Sequence, residues 1–309
     1  MTTQPSENSV VIAAFYLFTP LPDFEELQLP LQKRCEALGL LGTILLASEG
    51  VNGTVSGSAD AIEKLMSYLK TDVRLSALKW KSSVAEAQPF HRMKVRLKRE
   101  IVSLGVPGID PLNAVGEYVP PEQWNALIAR PEVRVVDTRN DYECHLGSFE
   151  EAEDPGTRSF REFPEWAERH LDPERDEHVA MFCTGGIRCE KATAYLKDKG
   201  FKNVYHLEGG ILNYLANIPE EQSRWQGECF VFDNRVSLDH DLQPGDRQVC
   251  PACRMPLSQD DYESPQFELH VSCPRCFDRL TPEKRERLLE RAKQMELAAA
   301  RGERHLGRR

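Results

Sequence analysis

The residues around Cys183 are of the types that build a nucleophilic thiol site. The apolar run Val179–Phe182 predicts a strand that ends at Cys183, and a helix is expected to begin near Arg188. The loop between them is short and glycine-rich: Thr184, Gly185, Gly186 and Ile187. Glycines let several backbone N–H groups point at one spot, and such a nest at a helix N-terminus binds an anion. The expected anion is the Cys183 thiolate or a persulfide on it, and the same field lowers the pKa of the thiol.

The spacing Cys-x4-Arg makes this loop one residue shorter than the Cys-x5-Arg loops of tyrosine-phosphatase-like sites. A tighter loop suits a sulfur atom better than a phosphate group, and Arg188 adds fixed positive charge. The alternative interpretation is a buried structural cysteine in a turn. Cys189, in the first turn of the predicted helix, is either a resolving thiol or a small core residue.

Asp137 and Arg139 follow another short apolar run, Val133–Val136, which predicts a buried strand. Functional residues of parallel sheets lie at the carboxyl ends of the strands. The two side chains therefore either support the Cys183 loop and its pocket or form a purely structural ion pair.

Four C-terminal cysteines form two pairs with the overall spacing C-x2-C-x19-C-x2-C. They are Cys250, Cys253, Cys273 and Cys276. Four thiolates at this spacing are typical of a tetrahedral structural zinc site. A redox dithiol is the alternative, but the segment lacks the βαβ setting of a redox C-x-x-C.

Basic and apolar residues alternate in one segment of the first hundred residues. The cations are Arg92, Lys94, Arg96 and Lys98. In a strand this alternation places all four on one face. Lys79 and Lys81 lie just upstream. We expect this surface to contact RNA phosphates, the alternative being an ordinary solvated strand face.

The chain divides into three blocks and a linker. Residues 1–104 have the predicted order βαββαβ of a ferredoxin-like (acylphosphatase-like) α+β domain, with its last strand over 93–104. Residues 105–121 are rich in Gly and Pro and predict a linker. Residues 122–226 alternate strands and helices, which predicts an α/β domain with a parallel sheet. Residues 227–309 hold the clustered cysteines and a basic helical tail.

The composition limits the function classes. A formal net charge of −10 argues against nucleic-acid binding through overall charge, so any basic surface must be local. The first apolar run lacks the basic segment of a signal peptide, and no run reaches the length of a membrane span. Nine cysteines in such a chain indicate thiol or metal chemistry in the cytoplasm. No Gly-x-Gly-x-x-Gly or P-loop motif indicates a nucleotide or flavin cofactor.

Several segments together resemble the bacterial rhodanese-domain tRNA uridine hydroxylases. They are SEGVNGT at 48–54, RMKVRLK at 92–98, DTRNDYE at 137–143, FREFP at 160–164, CTGGIRC at 183–189 and EGG at 208–210. The resemblance implies that Cys183 is the active-site cysteine of a rhodanese domain. It also implies that the product is 5-hydroxyuridine at the tRNA wobble position and that molecular oxygen is the co-substrate.

The sequence therefore predicts a cytoplasmic tRNA-modifying enzyme. The first domain and the basic tail are expected to bind tRNA, and the second domain to supply Cys183. A persulfide sulfurtransferase acting on a small molecule, a protein or tRNA is the alternative. A binding module with the rhodanese fold is a third interpretation, which an intact nucleophile disfavours.

Overall fold

A computed structural model describes residues 10–245 and 247–302 of the chain. They form two compact units. The first comprises residues 10–230 with Leu238–Gln243, and the second comprises Val231–Ser237 with the residues from Pro244 onward. Among the described helices, none combines the length and the apolar character that a membrane span requires.

The first domain of the first unit is a five-stranded sheet with two helices on one face. Its elements are β1 (Val10–Phe18), α1 (Phe24–Ala37), β2 (Leu41–Ala47), β3 (Gly50–Gly57), α2 (Ala59–Leu69), β4 (Lys79–Ala85) and β5 (Met93–Leu97). The sheet order is β4-β1-β3-β2-β5. Val11, Ala13 and Phe15 of β1 pack with both helices into one core. The alternate residues Tyr16 and Phe18 therefore lie on the opposite face.

One strand assignment in the predicted βαββαβ order was wrong. The fourth strand of the motif is β4, which pairs antiparallel with β1, whereas β5 is a fifth strand that runs parallel to β2. β4 was missed because its sequence, KWKSSVA, is mostly polar on an edge strand. β5 ends at Leu97 and not at residue 104; beyond it, the Glu100 carboxylate accepts hydrogen bonds from the N–H groups of Leu104 and Gly105, which stabilise a turn.

The second domain of this unit is built on a four-stranded sheet of order β6-β10-β9-β7, and all its strands are parallel. Its elements are β6 (Glu117–Val119), α3 (Pro121–Ile128), β7 (Val133–Asp137), α4 (Asp141–Cys144), β8 (Gly147–Phe149), α5 (Phe163–His170), β9 (His178–Phe182), α6 (Ile187–Asp198), β10 (Asn203–Leu207), α7 (Gly210–Asn217), β11 (Trp225–Gly227) and β12 (Cys229–Phe230). Val179 and Met181 of β9 pack into one core, while Ala180 and Phe182 pack into another. The central strand is therefore buried on both faces, as its continuous apolar run predicts.

The two folds confirm the predicted classes, and the element boundaries refine the predicted blocks. Residues 117–119 of the predicted linker form β6, which pairs with β10. The first unit continues to Phe230, past the predicted start of the third block at 227. The remaining elements are β13 (Ser237–Leu238), α8 (Gln259–Glu263) and α9 (Pro282–Ala300). The predicted tail is helical through α9, and its residues beyond 302 lie outside the described part of the chain.

Candidate active site

The loop between β9 and α6 closes around the Cys183 sulfur. The N–H of Gly186 donates a hydrogen bond to Cys183 Sγ over 3.1 Å, and the N–H groups of Arg188 and Cys189 also point at the sulfur. Gly186 has φ +101°, a conformation that favours glycine. Because α6 begins at Ile187, the sulfur lies at a helix N-terminus. The predicted anion nest is therefore present, and the Cys183 side chain within it has no exposed surface.

A second helix, α7, begins with a glycine and holds the Cys183 loop through backbone hydrogen bonds. The N–H of Ile211 donates to the Cys183 carbonyl over 2.9 Å, and that of Leu212 donates to the Thr184 carbonyl over 3.1 Å. Gly210 has φ +69°, and a Cβ there would lie 2.3 Å from the Cys183 carbonyl oxygen. Only glycine fits this position. The EGG segment at 208–210 therefore lets the start of α7 approach the Cys183 loop closely.

Arg188 closes the loop by pairing with Glu143, a residue to which the sequence analysis gave no role. The guanidinium binds both carboxylate oxygens, over 2.6 and 2.7 Å, and the pair is almost completely buried. The Thr184 hydroxyl donates to the same carboxylate over 3.2 Å. Burial alone raises the pKa of Glu143, but the charge and hydrogen bonds of Arg188 outweigh it and hold the pKa below its usual value.

The environment of Cys183 favours the thiolate. Burial is the largest single influence and opposes ionisation. The hydrogen bond from the Cys189 thiol, the charge of Arg188 and the backbone N–H groups together outweigh it, so the pKa of Cys183 is lowered. A thiolate at neutral pH is the reactive form of cysteine, so this arrangement can attack an electrophile or carry a persulfide.

Cys189 lies in the core beside the loop. Its sulfur is 3.5 Å from the Thr138 hydroxyl oxygen, and its side chain is fully buried. Burial and the neighbouring Cys183 raise its pKa well above the ordinary value. Cys189 is therefore the protonated partner that donates to the Cys183 sulfur.

Asp137 and Arg139 form a fully buried pair with Nη2 to Oδ2 at 2.6 Å. Arg139 also donates to the carbonyls of Gly147 and Glu143. The pair thus braces the turn that carries Glu143, and its support of the Cys183 loop is indirect.

Side chains of the first domain also reach this site. The Tyr16 hydroxyl of β1 donates to the Glu190 carboxylate of α6 over 2.8 Å. The Lys81 ammonium of β4 donates to the Gly209 carbonyl. Lys191 of α6 binds two first-domain carboxylates, Glu49 at 2.8 Å and Glu100 at 2.6 Å. The sequence shows a basic pattern at 79–81, but that pattern does not indicate these contacts between the two domains.

The four cations of the basic segment lie on or beside β5, at the edge of the first sheet. Lys94 and Arg96 are within the strand, and Arg92 and Lys98 flank it. Val95 points into the core, while Arg92, Arg96 and Lys98 are exposed and Lys94 is half-buried. Lys94 and Arg96 therefore lie on the strand face opposite Val95, whereas Leu97 is exposed like its basic neighbours.

The second unit contains a compact cluster of the four paired cysteines. Their sulfur atoms lie within 4.8 Å of one another, and the group could hold a metal ion. The separations are 3.8 Å for Cys250–Cys276, 3.6 Å for Cys253–Cys273 and 3.8 Å for Cys273–Cys276. A zinc ion bound tetrahedrally about 2.3 Å from four sulfurs sets them about 3.8 Å apart, so the donor set fits zinc.

Comparisons with known proteins match each of the two domains of the first unit. Family models match residues 10–101 as a UPF0176 acylphosphatase like domain and residues 120–217 as a rhodanese-like domain. The chain is 53% identical over 299 residues to the tRNA uridine(34) hydroxylase of Teredinibacter turnerae, an alignment that covers 97% of this chain and 93% of that protein.

Two solved structures each match one domain. A rhodanese-like domain from Anabaena matches 36% of this chain and 78% of its own, with 18% identity and a TM-score of 0.30. An acylphosphatase from Coxiella burnetii matches 31% of this chain and 100% of its own, with 20% identity and a TM-score of 0.23.

Proposed function

This chain belongs to the family of tRNA uridine(34) hydroxylases, and we propose that it hydroxylates uridine 34 of tRNA at C5. The observation that carries the proposal is the 53% identity to such an enzyme over nearly the whole of both chains. By the resemblance of its motifs, molecular oxygen is the co-substrate and 5-hydroxyuridine the product. A tRNA substrate supports a cytoplasmic location for the enzyme.

In this proposal Cys183 is the catalytic nucleophile, either as the thiolate or as a persulfide. The Gly186 N–H and the start of α6 hold its negative charge, and Arg188 adds a positive charge that Glu143 fixes in place. A nucleophile that bonds transiently to the substrate divides one difficult step into two easier ones. Cys189 stays protonated and stabilises the Cys183 thiolate by donating a hydrogen bond to its sulfur.

The test of the function is nucleoside analysis of tRNA by mass spectrometry. Cells that lack the gene are expected to lose 5-hydroxyuridine and to regain it with the wild-type gene. The Cys183→Ala variant should not restore it, although it should bind tRNA with nearly wild-type affinity because every phosphate contact remains. Loss of thiouridine with 5-hydroxyuridine retained would favour the sulfurtransferase instead.

We further propose that the β5 edge contacts the tRNA backbone. Phosphate contacts contribute affinity through counterion release, so the salt dependence counts them. Replacing Lys94 and Arg96 by Ala should flatten the slope of log K against log salt by roughly one per lost contact. Lys64→Ala is the matched control, since Lys64 is an exposed helix lysine paired with Asp60. An unchanged slope in the double variant would show that this edge is only solvated surface.

The four-cysteine cluster is proposed to hold one structural zinc ion. A site with four thiolates is closed, so the metal when bound supplies cross-linking and not catalysis. Cys250, Cys253, Cys273 and Cys276 are the ligands in this proposal.

A further inference from the structure

The Lys81 side chain packs against Gly209, which lies in the left-handed region just before α7. Lys81 is opposite Ala14 in the β4–β1 register, on the sheet face that also carries Tyr16. Its ammonium donates to the carbonyl of Gly209, which has φ +73°. A Cβ at Gly209 would lie 2.5 Å from the Lys81 nitrogen. The Lys81 ammonium therefore lies directly against the backbone that precedes α7.

Tyr16 reaches the same place from the neighbouring strand. A Cβ at Gly186 would lie 3.0 Å from the Tyr16 hydroxyl and 3.5 Å from the Gly209 Cα. The two glycines thus adjoin each other, one in the Cys183 loop and one before the helix that supports it. Two side chains of the first domain rest on them, and Cys183 beneath has no exposed surface.

The charges around Cys183 give Lys81 a distinct role. The groups that face this centre are Arg188, Cys189 and Glu190 of α6, Glu143 of α4, Tyr118 of β6, Tyr16 of β1, Glu208 and Lys81. The guanidinium of Arg188 already binds the Glu143 carboxylate. Lys81 is therefore the cation that approaches the sulfur from the first domain, where Glu190 and Glu208 contribute opposing negative charge.

We propose that Lys81 is a positioning residue of the Cys183 centre, so that both domains of the first unit build one active site. Its ammonium anchors the Gly209 carbonyl, next to the helix N-terminus that binds the Cys183 carbonyl. Its charge favours an anionic sulfur at Cys183, whether thiolate or persulfide. Burial lowers the pKa of Lys81 to about 8, and the charges of Cys183 and Glu208 oppose that fall, so the amine is mostly charged at neutral pH. The inference rests on the proposed function for its activity readout alone.

The test is a titration of Cys183 in the full chain. Thiolate absorbance in the far ultraviolet is recorded against pH, and the Cys183→Ser spectrum is subtracted. Lys81→Met keeps the length of the side chain without its charge, and should raise the apparent pKa of Cys183 by about half a unit, a threefold loss of thiolate below the pKa. Lys81→Arg should keep the wild-type titration. Lys79→Met is the matched control, an exposed lysine two residues away on the same strand.

Activity and affinity complete the test. On the acid side of the pH profile, below the pKa of Cys183, the rate of 5-hydroxyuridine formation should fall about threefold in Lys81→Met, while tRNA affinity stays at the wild-type value. An unchanged Cys183 titration in Lys81→Met would overturn the proposal, and lost tRNA affinity with that unchanged titration would make Lys81 an RNA contact. Lys81→Gln replaces the Met variant if the latter melts early. A wild-type enzyme that makes no 5-hydroxyuridine would refute the proposed function, whereas the titration would still decide the role of Lys81.

Discussion

The Cys183 loop and the C-terminal cysteine cluster place the same side chain in opposite surroundings. Cys183 is a single sulfur faced by backbone N–H groups, a protonated neighbour thiol and the Arg188 charge. The C-terminal cluster brings four sulfur atoms together, and three of the distances between them are 3.6 to 3.8 Å. One thiolate can be stabilised by fixed dipoles and one cation. Four thiolates at such distances repel one another, so all four would ionise together only around a bound metal ion.

The two sites differ in how many distant parts of the chain they depend on. The cluster is local, because two turns and one spacer bring all four sulfurs together. The Cys183 loop draws on α4 through Glu143, on α7 through Ile211 and on the first domain through Lys81. Damage to the cluster should therefore be confined to its own unit, and damage to the loop should arise from several distant positions.

The largest expected effect is the loss of the metal. Cys250→Ser with Cys253→Ser should reduce bound zinc from about one equivalent per chain to none and unfold the second unit, since structural zinc contributes on the order of 10 kcal/mol to folding. Metal analysis and limited proteolysis measure both effects. Cys183→Ser is the matched control and should retain the zinc. A wild-type protein that is free of metal, with all four thiols open to alkylation and the second unit still resistant to protease, would contradict the proposal that zinc holds the second unit together.

The next effect concerns the ion pair that closes the loop. Glu143→Gln leaves the buried Arg188 guanidinium without its countercharge, which should lower the free energy of unfolding by about 3–5 kcal/mol. Because the pKa of Glu143 is lowered in the folded state, its stabilisation is present above about pH 4.3 and is lost as the pH falls through the folded value. Urea unfolding at pH 7 and pH 3 should therefore show a difference from wild type that shrinks in acid.

The control for this pair is already in the chain. Glu165 and Arg169 form an exposed ion pair one helical turn apart on α5. Glu165→Gln should change the unfolding free energy by less than about 1 kcal/mol, since solvent screens exposed pairs. Equal effects of the two substitutions would mean that the buried pair does not hold the loop.

Local features of this fold could be predicted from the sequence, and non-local ones could not. The strand, loop and helix around Cys183 are continuous in sequence, so the apolar run, the glycines and Arg188 predict them together. The spacing of the four C-terminal cysteines predicts their cluster in the same way. β4 escaped because its polar sequence lies at a sheet edge, where one face and one side are open to solvent.

The sequence does not predict the partners of the Cys183 loop, Glu143 and Lys81, because their contacts depend on distant parts of the chain. Glu143 accepts a hydrogen bond from the Asn140 N–H, so its position three residues after Asn140 suggests an ordinary helix cap. Its pairing with Arg188, 45 residues away, depends on the packing of α4 against α6. Lys81 likewise belongs to a basic pattern in sequence, and only the sheet register places it beside Gly209.

The smallest expected effect tests the thiol that neighbours Cys183. Cys189 donates a hydrogen bond to the Cys183 sulfur, the strongest of the influences that lower its pKa. A hydrogen bond to a charged group contributes about 1.5 kcal/mol, close to one pKa unit. Cys189→Ala should therefore raise the pKa of Cys183 by about one unit, whereas Cys189→Ser, which keeps an O–H donor, should raise it less. The thiolate absorbance titration, corrected with Cys183→Ser, measures both.

The same variants separate the two interpretations of Cys189. If it only tunes Cys183, the Ser variant keeps most of the hydroxylation rate at neutral pH, and the Ala variant loses rate on the acid side of the pH profile, where less Cys183 is ionised. If it is a resolving thiol, both variants lose the rate at every pH because neither can form a disulfide. Cys35→Ala is the control, since Cys35 lies in the core of the first domain and should not move the Cys183 titration. A Cys183 pKa that stays at the wild-type value in Cys189→Ala would show that the nest and Arg188 alone hold the thiolate, as the metal alone is expected to hold the four sulfurs of the other cluster.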